Sequence, residues 1–505
     1  MLDIVPKLDL DFSPYSGLYD IIVGKENMYR RLRDEMDWSF VNESMIECYD
    51  SDRGRIAINP EFMLKLLVIK TITDLSDADL VEEVKVNMAM KYFLYLAPEA
   101  EVCHKSNLTN FRRFRLAKCE SVNILLCQTI KVAKQKGIIK KSSSGKYEME
   151  CSIDSTHINA MGRVLLSGEA ITIYCKRLIK DVKSVNPDVA AGLERVPDKF
   201  KNSWEAVEFG KRMLAYVRDS CTDDLVRMKV MRTANRLQEV IEDLEEYGSY
   251  CPADRDARRG HKSVTRTEDG YKDHIITETN TGLIVAAESS PMNVSDTTVG
   301  RELIQKVVTE AEAGGEDKIT AVLGDAAYSS SDILDYLASH DIELYASPNR
   351  QLGTSHPDRN GFTYNKDAQG VICPAGHLSI SSTIRTYKEE NNRKVAMYYF
   401  DVDRCRCCPF RHGCYKEGST TKSFSVTINT EAQKAYLKKM KLPSARQKLR
   451  KRNISERVNA ELKSRCGLRK AKARGMETMT VQMAVAMFTY NLKVILRKTA
   501  PKAGE

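Results

Sequence analysis

Apolar residues recur at helical spacing through PEFMLKLLVIKTI, DADLVEEVKVNMAMKYFLYL and SVNILLCQTIKVAKQ, which predicts a helical unit over residues 1–145 punctuated by Pro60 and Pro98. From Tyr147 the period changes. In YEMECSID, Met149, Cys151 and Ile153 alternate with Glu150, Ser152 and Asp154, as a two-faced strand ending at Asp154 requires. Helical patterning returns at about 160–250, in WEAVEFGKRMLAYVRD and VMRTANRLQEVIEDLEEY, and reads as an insertion. YKDHIITETN and LIVAAESSP then predict a hairpin turning at Thr281 and Gly282. Asp296 is expected to cap the helix DTTVGRELIQKVVTEAEA. KITAVLGDAAYSS reads as a buried strand with Asp325 near its C-terminal end, followed by a helix from Ser331 and a strand in ELYASP. Residues 351–435 are polar and rich in turns and cysteine, and about 444–498 read as two helices parted by Gly475.

These elements define a multidomain α/β protein. The expected units are a helical N-terminal domain (1–145), a mixed-sheet core carrying both aspartates (146–350, with the helical insertion at about 160–250), a cysteine-rich insertion (351–435), and C-terminal helices that complete the core (436–505). A length of 505 residues suits several such units. With 42% hydrophobic and 29% charged residues the chain is globular in composition. No run of eighteen uncharged apolar residues occurs and MLDIVPKLDLDF lacks the form of a signal peptide, so a cytoplasmic protein without a membrane partner is expected. Most of the 14 cysteines, such as Cys119, Cys127 and Cys175, are scattered in apolar contexts and read as buried free thiols.

Charge changes this picture through its distribution. The net charge is only +9, but between Lys438 and Arg474 fifteen Lys or Arg stand against two acids, Glu456 and Glu461. Lys448, Arg450 and Lys451 in that stretch are candidates for DNA phosphates, as are Arg112, Arg113 and Arg115 beside Phe111 and Phe114 in KSNLTNFRRFRLAK. For the latter segment the alternative is an amphipathic helix with a solvated basic face.

Two aspartates at the ends of neighbouring strands suit a divalent-metal site, because the carboxyl ends of strands open on one crevice. A third ligand would come from Glu456, which shares a helix face with Arg452 and Lys463 at spacings of four and seven residues, whereas Glu461 projects about 140° away. Phosphodiester transfer uses such acids to hold two Mg²⁺ (or Mn²⁺) ions about 3.5–4 Å apart. At these residues the chain resembles the DDE transposases of bacterial insertion sequences, of the IS4-like type with an R-x(3)-E-x(6)-K signature. Asp154 in SIDSTHI matches the first acid, Asp325 in LGDAAYSS the second, and Glu456 in RNISERVNAELK the third, with Arg452 and Lys463 in the signature positions; Leu449 stands where many relatives have Tyr. DRDARRGHK (254–262), DGYKDH (269–274) and PMNVSDT (291–297) extend the likeness, with His157, His274, Tyr328 and Asn293 as supporting candidates.

The resemblance implies an RNase H-like core, cleavage of transposon ends with strand transfer into target DNA, phosphate positioning by Arg452 and Lys463, and a homodimer assembled on double-stranded DNA. Two other classes stay open: an RNase H-like structure-specific nuclease, and a non-catalytic zinc-stabilised DNA-binding protein derived from a transposase. Cys373, followed by C-x(2)-C-x(5)-C at Cys405, Cys408 and Cys414, has the makings of a structural Zn²⁺ site, with His377 or Cys407 as substitutes.

Overall fold

A computed structural model describes residues 13–49, 57–221, 224–261, 266–349, 352, 360–365, 367–387 and 393–500. The acidic start read above at 1–12, and Lys262 of the DRDARRGHK motif, lie outside the described residues.

Thirteen strands are present among the described residues: β1 (Tyr147–Asn159), β2 (Leu165–Leu166), β3 (Ser249–Tyr250), β4 (Arg258–His261), β5 (Thr267–Glu278), β6 (Ile284–Pro291), β7 (Asp317–Leu323), β8 (Glu343–Tyr345), β9 (Thr363–Asn365), β10 (Gly370–Ile372), β11 (Ser381–Tyr387), β12 (Arg393–Phe400) and β13 (Lys422–Thr427). The central sheet runs β4-β5-β1-β7-β8, with β6 on β5. β1 is parallel to β7 and antiparallel to β5, so it is the seam between the two halves of a mixed sheet.

β1 does not end at Asp154. It continues to Asn159, because its second half pairs with β5 from Ser155 opposite His274 to Asn159 opposite Gly270. Gly270 has φ +150°, and a Cβ there would stand 2.1 Å from the Ile158 carbonyl oxygen, so this close pairing needs glycine. The hairpin between β5 and β6 forms as expected. The helix after it is capped by Ser295, whose side chain accepts from the Thr297 N–H. Asp296 is instead the first helical residue and accepts hydrogen bonds from Lys272 Nζ (2.7 Å) and Ser155 Oγ (3.0 Å). A basic partner close by took the carboxylate, leaving the cap to the neighbouring hydroxyl.

Two layers cover the sheet. On one side helices Asp296–Gly314 and Ser331–Ser339 bury Leu303, Val307, Ile333 and Leu337 against Ile153 and Val322. On the other, helix Met476–Thr499 is buried over most of its length, its Asn491 amide bonded to both the N–H and the carbonyl of Ile284 on β6. It is long and apolar enough to cross a membrane by composition, but 83% of that window is buried inside the protein.

The N-terminal helices share that core. Leu64, Phe93 and Leu108 fall in one cluster with Phe488, Ile495 and Ile284, and Trp38 stacks edge-on between Phe93 (5.3 Å) and Phe488 (5.8 Å). Helix Pro60–Thr73 starts where Asn59 accepts from the Glu61 N–H with Pro60 at its first position, and stops where Asp74 turns left-handed (φ 59°).

Between β1 and β4, helices Ser167–Val185, Ser203–Ser220 and Asp224–Tyr247 form a separate core around Tyr174, Phe209 and Ile241, its neck closed by β2 pairing with β3. The cysteine-rich stretch has a small core of Phe362, Val371, Phe400, Phe424 and Val426 beneath β11-β12-β13. At the C-terminus the expected first helix is broken into Pro443–Leu449, a tight turn Arg450–Arg452, and Asn453–Arg465.

Candidate active site

Parallel pairing of β1 with β7 stops at Ser152 opposite Leu323, two residues before Asp154. β7 ends at Leu323, and Asp325 follows, its carboxylate accepting from the Ala327 N–H at 2.9 Å to open a short turn. Both aspartates therefore stand just past the point where the parallel pairing of β1 with β7 stops, where a crevice opens.

Helix Asn453–Arg465 closes this crevice. Ser455 Oγ donates to Ser152 Oγ (2.8 Å) and Asn459 Nδ2 donates to Asp154 Oδ2 (3.0 Å), while burial pushes the Asp273 carboxyl up to about 7 against the Ser289 hydroxyl and the charge of Lys463, which favour its ionised form. Ser455 and Asn459, four residues apart, lie on the face laid on the sheet. Glu456 is turned about 100° from Ser455 and about 60° from Asn459. Its side chain is 61% exposed and meets Arg452, whose Nη2 lies 3.2 Å from Oε1. The same guanidinium stands 3.8 Å from Asp154 Oδ1, so Arg452 sits between two of the three acids. Glu461 points elsewhere, to Arg497.

Burial pushes the Asp154 carboxyl up; Arg452 and the Ser155 N–H oppose this, and the negative charges of Asp325 and Glu456 add to it, leaving it at about 6. Asp154 thus feels both other acids and has too little positive charge nearby to balance them. Among the described residues, no group of three or more His, Cys, Asp or Glu side chains is gathered closely enough to hold a metal ion. Hard carboxylate oxygens around a desolvated point nonetheless fit a divalent cation in kind. The positive charge beside Asp154 and Glu456 is the Arg452 guanidinium.

Asn459 and Ser455 were not read from sequence as site residues. The signal was a polar stripe at intervals of four on a basic helix, overlooked because Arg452, Glu456 and Lys463 define a competing face.

The remaining candidates divide sharply. Arg112 forms a two-pronged pair with Asp77 (3.1 and 2.5 Å), and Arg115 donates to the Cys48 carbonyl (2.8 Å) while covering the Tyr49 ring. Arg113 is exposed beside Phe114. Lys448 and Lys451 both reach Glu150, at 3.0 and 3.1 Å, whereas Arg450 is exposed. The extended motifs prove to be a bracing network: Arg259 grips Asp269, Tyr271 donates to Asp254 (2.7 Å), and Lys272 pairs with Asp296. His157 bonds Glu268 (2.7 Å); His274 bonds Ser290 and is held down to about 4 by burial; Tyr328 is fully buried; Asn293 is exposed.

Cys373, Cys405, Cys408 and Cys414 line one cavity of about 230 Å³ together with His377, and Cys407 lies outside it. Burial raises the Cys405 thiol, and the other three cysteines raise it further. Of the cysteines read as buried free thiols, Cys175 is buried, Cys127 is exposed, and Cys119 is joined to Cys48.

Residues 17–114 match the family described as Transposase domain (DUF772), and residues 242–492 the family described as Transposase DDE domain. Asp325 and Glu456 fall inside the second match, and Asp154 lies between the two. The chain belongs to the DDE transposases of the insertion-sequence type, enzymes that act on DNA and depend on a divalent metal. No curated protein matches it. A piggyBac transposase solved by cryo-EM in a synaptic complex with hairpin DNA is similar at 10% identity, over 94% of this chain and 75% of that one, with a TM-score of 0.30; a likeness this slight carries no argument.

Proposed function

We propose that this transposase cuts transposon ends and transfers them into target DNA using Asp154, Asp325 and Glu456 as its acids. The observation that carries the reading is Asp154: a carboxylate at a strand crevice, raised chiefly by burial and further by the charges of Asp325 and Glu456, and hydrogen-bonded by Asn459. The mixed sheet in the order β6-β5-β1-β7-β8, with β1 at the seam, supports an RNase H-like core. The IS4-like assignment rests on the R-x(3)-E-x(6)-K spacing.

Two Mg²⁺ (or Mn²⁺) ions held by the three acids would supply an activated attacking oxygen and a stabilised leaving oxygen. The chain's own groups set the stage. The Ser455–Ser152 bond fixes the helix against β1, so the distance between Glu456 and Asp154 is set by packing. Arg452, paired with both acids, is placed to pass to a phosphate oxygen when DNA enters, and Lys463 stands about three turns further along. Hydrolysis of one phosphodiester frees a 3′-hydroxyl. That oxygen then bonds to a target phosphorus, displacing a target 3′-oxygen, with no covalent enzyme intermediate.

Because an element has two ends, two chains are expected to assemble on double-stranded DNA, in the cytoplasm. A structural Zn²⁺ on Cys373, Cys405, Cys408 and Cys414 would tie together a stretch whose core is only five residues. Metal analysis should then find one zinc per chain, lost in Cys405→Ser.

Purified protein, Mg²⁺ and a labelled element end test the reading. Cleavage that leaves a 3′-hydroxyl later joined to target DNA is expected; cleavage without joining would point to a nuclease.

A further inference from the structure

A cleft of about 1240 Å³ opens where the N-terminal helices face the loop before helix Met476–Thr499. Seven Lys or Arg line it against three acids. Three of the cations are already matched: Lys70 and Arg112 by Asp77, and Lys472 by Asp74 across the cleft. Lys105, Arg113, Lys118 and Arg474 are exposed, and no carboxylate partners them among the described residues. They come from both walls, three from the N-terminal side and Arg474 from the C-terminal loop. Phe114, 48% exposed, lies among them with Arg113 over its ring.

The walls are braced from behind. Asp254 accepts from the Gly475 N–H (3.1 Å) and Asp256 from the Met476 N–H (2.7 Å), so the start of that helix is already satisfied and the free charge is on the side chains. The loop is also stitched to the sheet, because Ala471 N–H donates to the Asn159 carbonyl (2.8 Å) at the end of β1. Asp154 lies five residues back along the same strand. At about 3.3 Å per residue, β1 spans roughly 17 Å from Asn159 to Asp154.

We propose that this cleft seats a sugar-phosphate backbone of duplex DNA, gripped by Lys105, Arg113, Lys118 and Arg474, beside the loop that is stitched to the end of the strand carrying Asp154. Four unmatched cations converging from two walls suit a polyanion, and an exposed aromatic ring among them suits a surface that meets nucleic acid. The proposal rests on the transposase reading. It adds a place on the molecule, apart from the three acids.

The test uses the full chain and a labelled 30-base-pair duplex in a salt titration. K105Q/R113Q/K118Q/R474Q should flatten the plot of log affinity against log salt by about 3–4 units, near 0.9 per lost contact. K176Q/K183Q/K199Q/K201Q, which removes four exposed lysines from the helical insertion, should leave the slope near wild type. Equal flattening in both variants, or none in the first, overturns the proposal. A p-benzoylphenylalanine in place of Phe114 should crosslink to the duplex on irradiation, and it decides the matter alone should the first variant fail to fold; absence of the crosslink then overturns the proposal. A wild-type chain that binds no DNA sinks both this proposal and the functional reading, whereas DNA binding with an unaltered first variant sinks this proposal only.

Discussion

Asp77 in the N-terminal helices and Asp154 in the sheet crevice are almost equally covered, with side chains 20% and 18% exposed, yet their carboxyls move in opposite directions. Burial pushes both up. At Asp77 hydrogen bonds and charge from Arg112 and Lys70 outweigh it, and the group comes down to about 2. At Asp154 one guanidinium at 3.8 Å is set against two further acids, and the group rises to about 6. Similar burial therefore has two meanings. One carboxylate is saturated and cements a fold; the other is left short of positive charge, which is the condition of a group kept for a cation it must bind.

The comparison breaks first on activity. Asp154→Asn should lower cleavage on the order of 10³-fold, about 4 kcal/mol of transition-state stabilisation, while Asp77→Asn leaves the turnover of folded enzyme within a few fold. Gel assays at matched concentrations of folded protein read this, and comparable losses would erase the distinction.

Stability should shift with opposite signs. Asp77→Asn strands Lys70 and Arg112 and should cost about 1–3 kcal/mol at pH 7. Because the folded value is depressed, that contribution is complete above the unfolded value of 3.8 and fades as pH falls through about 2, so the deficit narrows in acid. Asp154→Asn should instead stabilise metal-free protein by about 1–3 kcal/mol at pH 7, since a raised folded value penalises the charged form. That penalty is full above about 6 and absent below 3.8, so the gain should vanish near pH 4. Thermal melts in chelator at pH 7.5 check both signs, melts at pH 4 check the loss of the Asp154 gain, and melts nearer pH 2 check the narrowing of the Asp77 deficit.

The smallest effect concerns the basic C-terminal stretch. Arg450→Gln should flatten the salt dependence of DNA binding by about 0.9. Lys448→Gln with Lys451→Gln should alter it less per charge, because both lysines are engaged by Glu150, and should lower the melting temperature instead. A double variant that flattens the slope by nearly two units would show the Glu150 pairs yield to phosphate.

Periodicity was enough to place most elements, because a strand with one buried face or a helix with one apolar stripe writes its pattern locally. β1, the β5–β6 hairpin, the helices of the insertion and the buried final helix were all legible this way. The three acids were readable as residue types in a recognisable order, and the basic stretch as a count of charges. Where β1 ends was not legible, since it depends on β5 offering partners as far as Gly270. The partners of Arg112, Lys448 and Lys451 were not legible either, because ion pairs join residues far apart in the chain, Glu150 with Lys448 among them. Asp154 and Asp77 look alike in sequence, each an aspartate near the edge of an element. Only the folded chain decides that one is matched by two cations and the other faces two acids, because a carboxylate's energy is set by the charges and the water around it, and these are placed by tertiary packing.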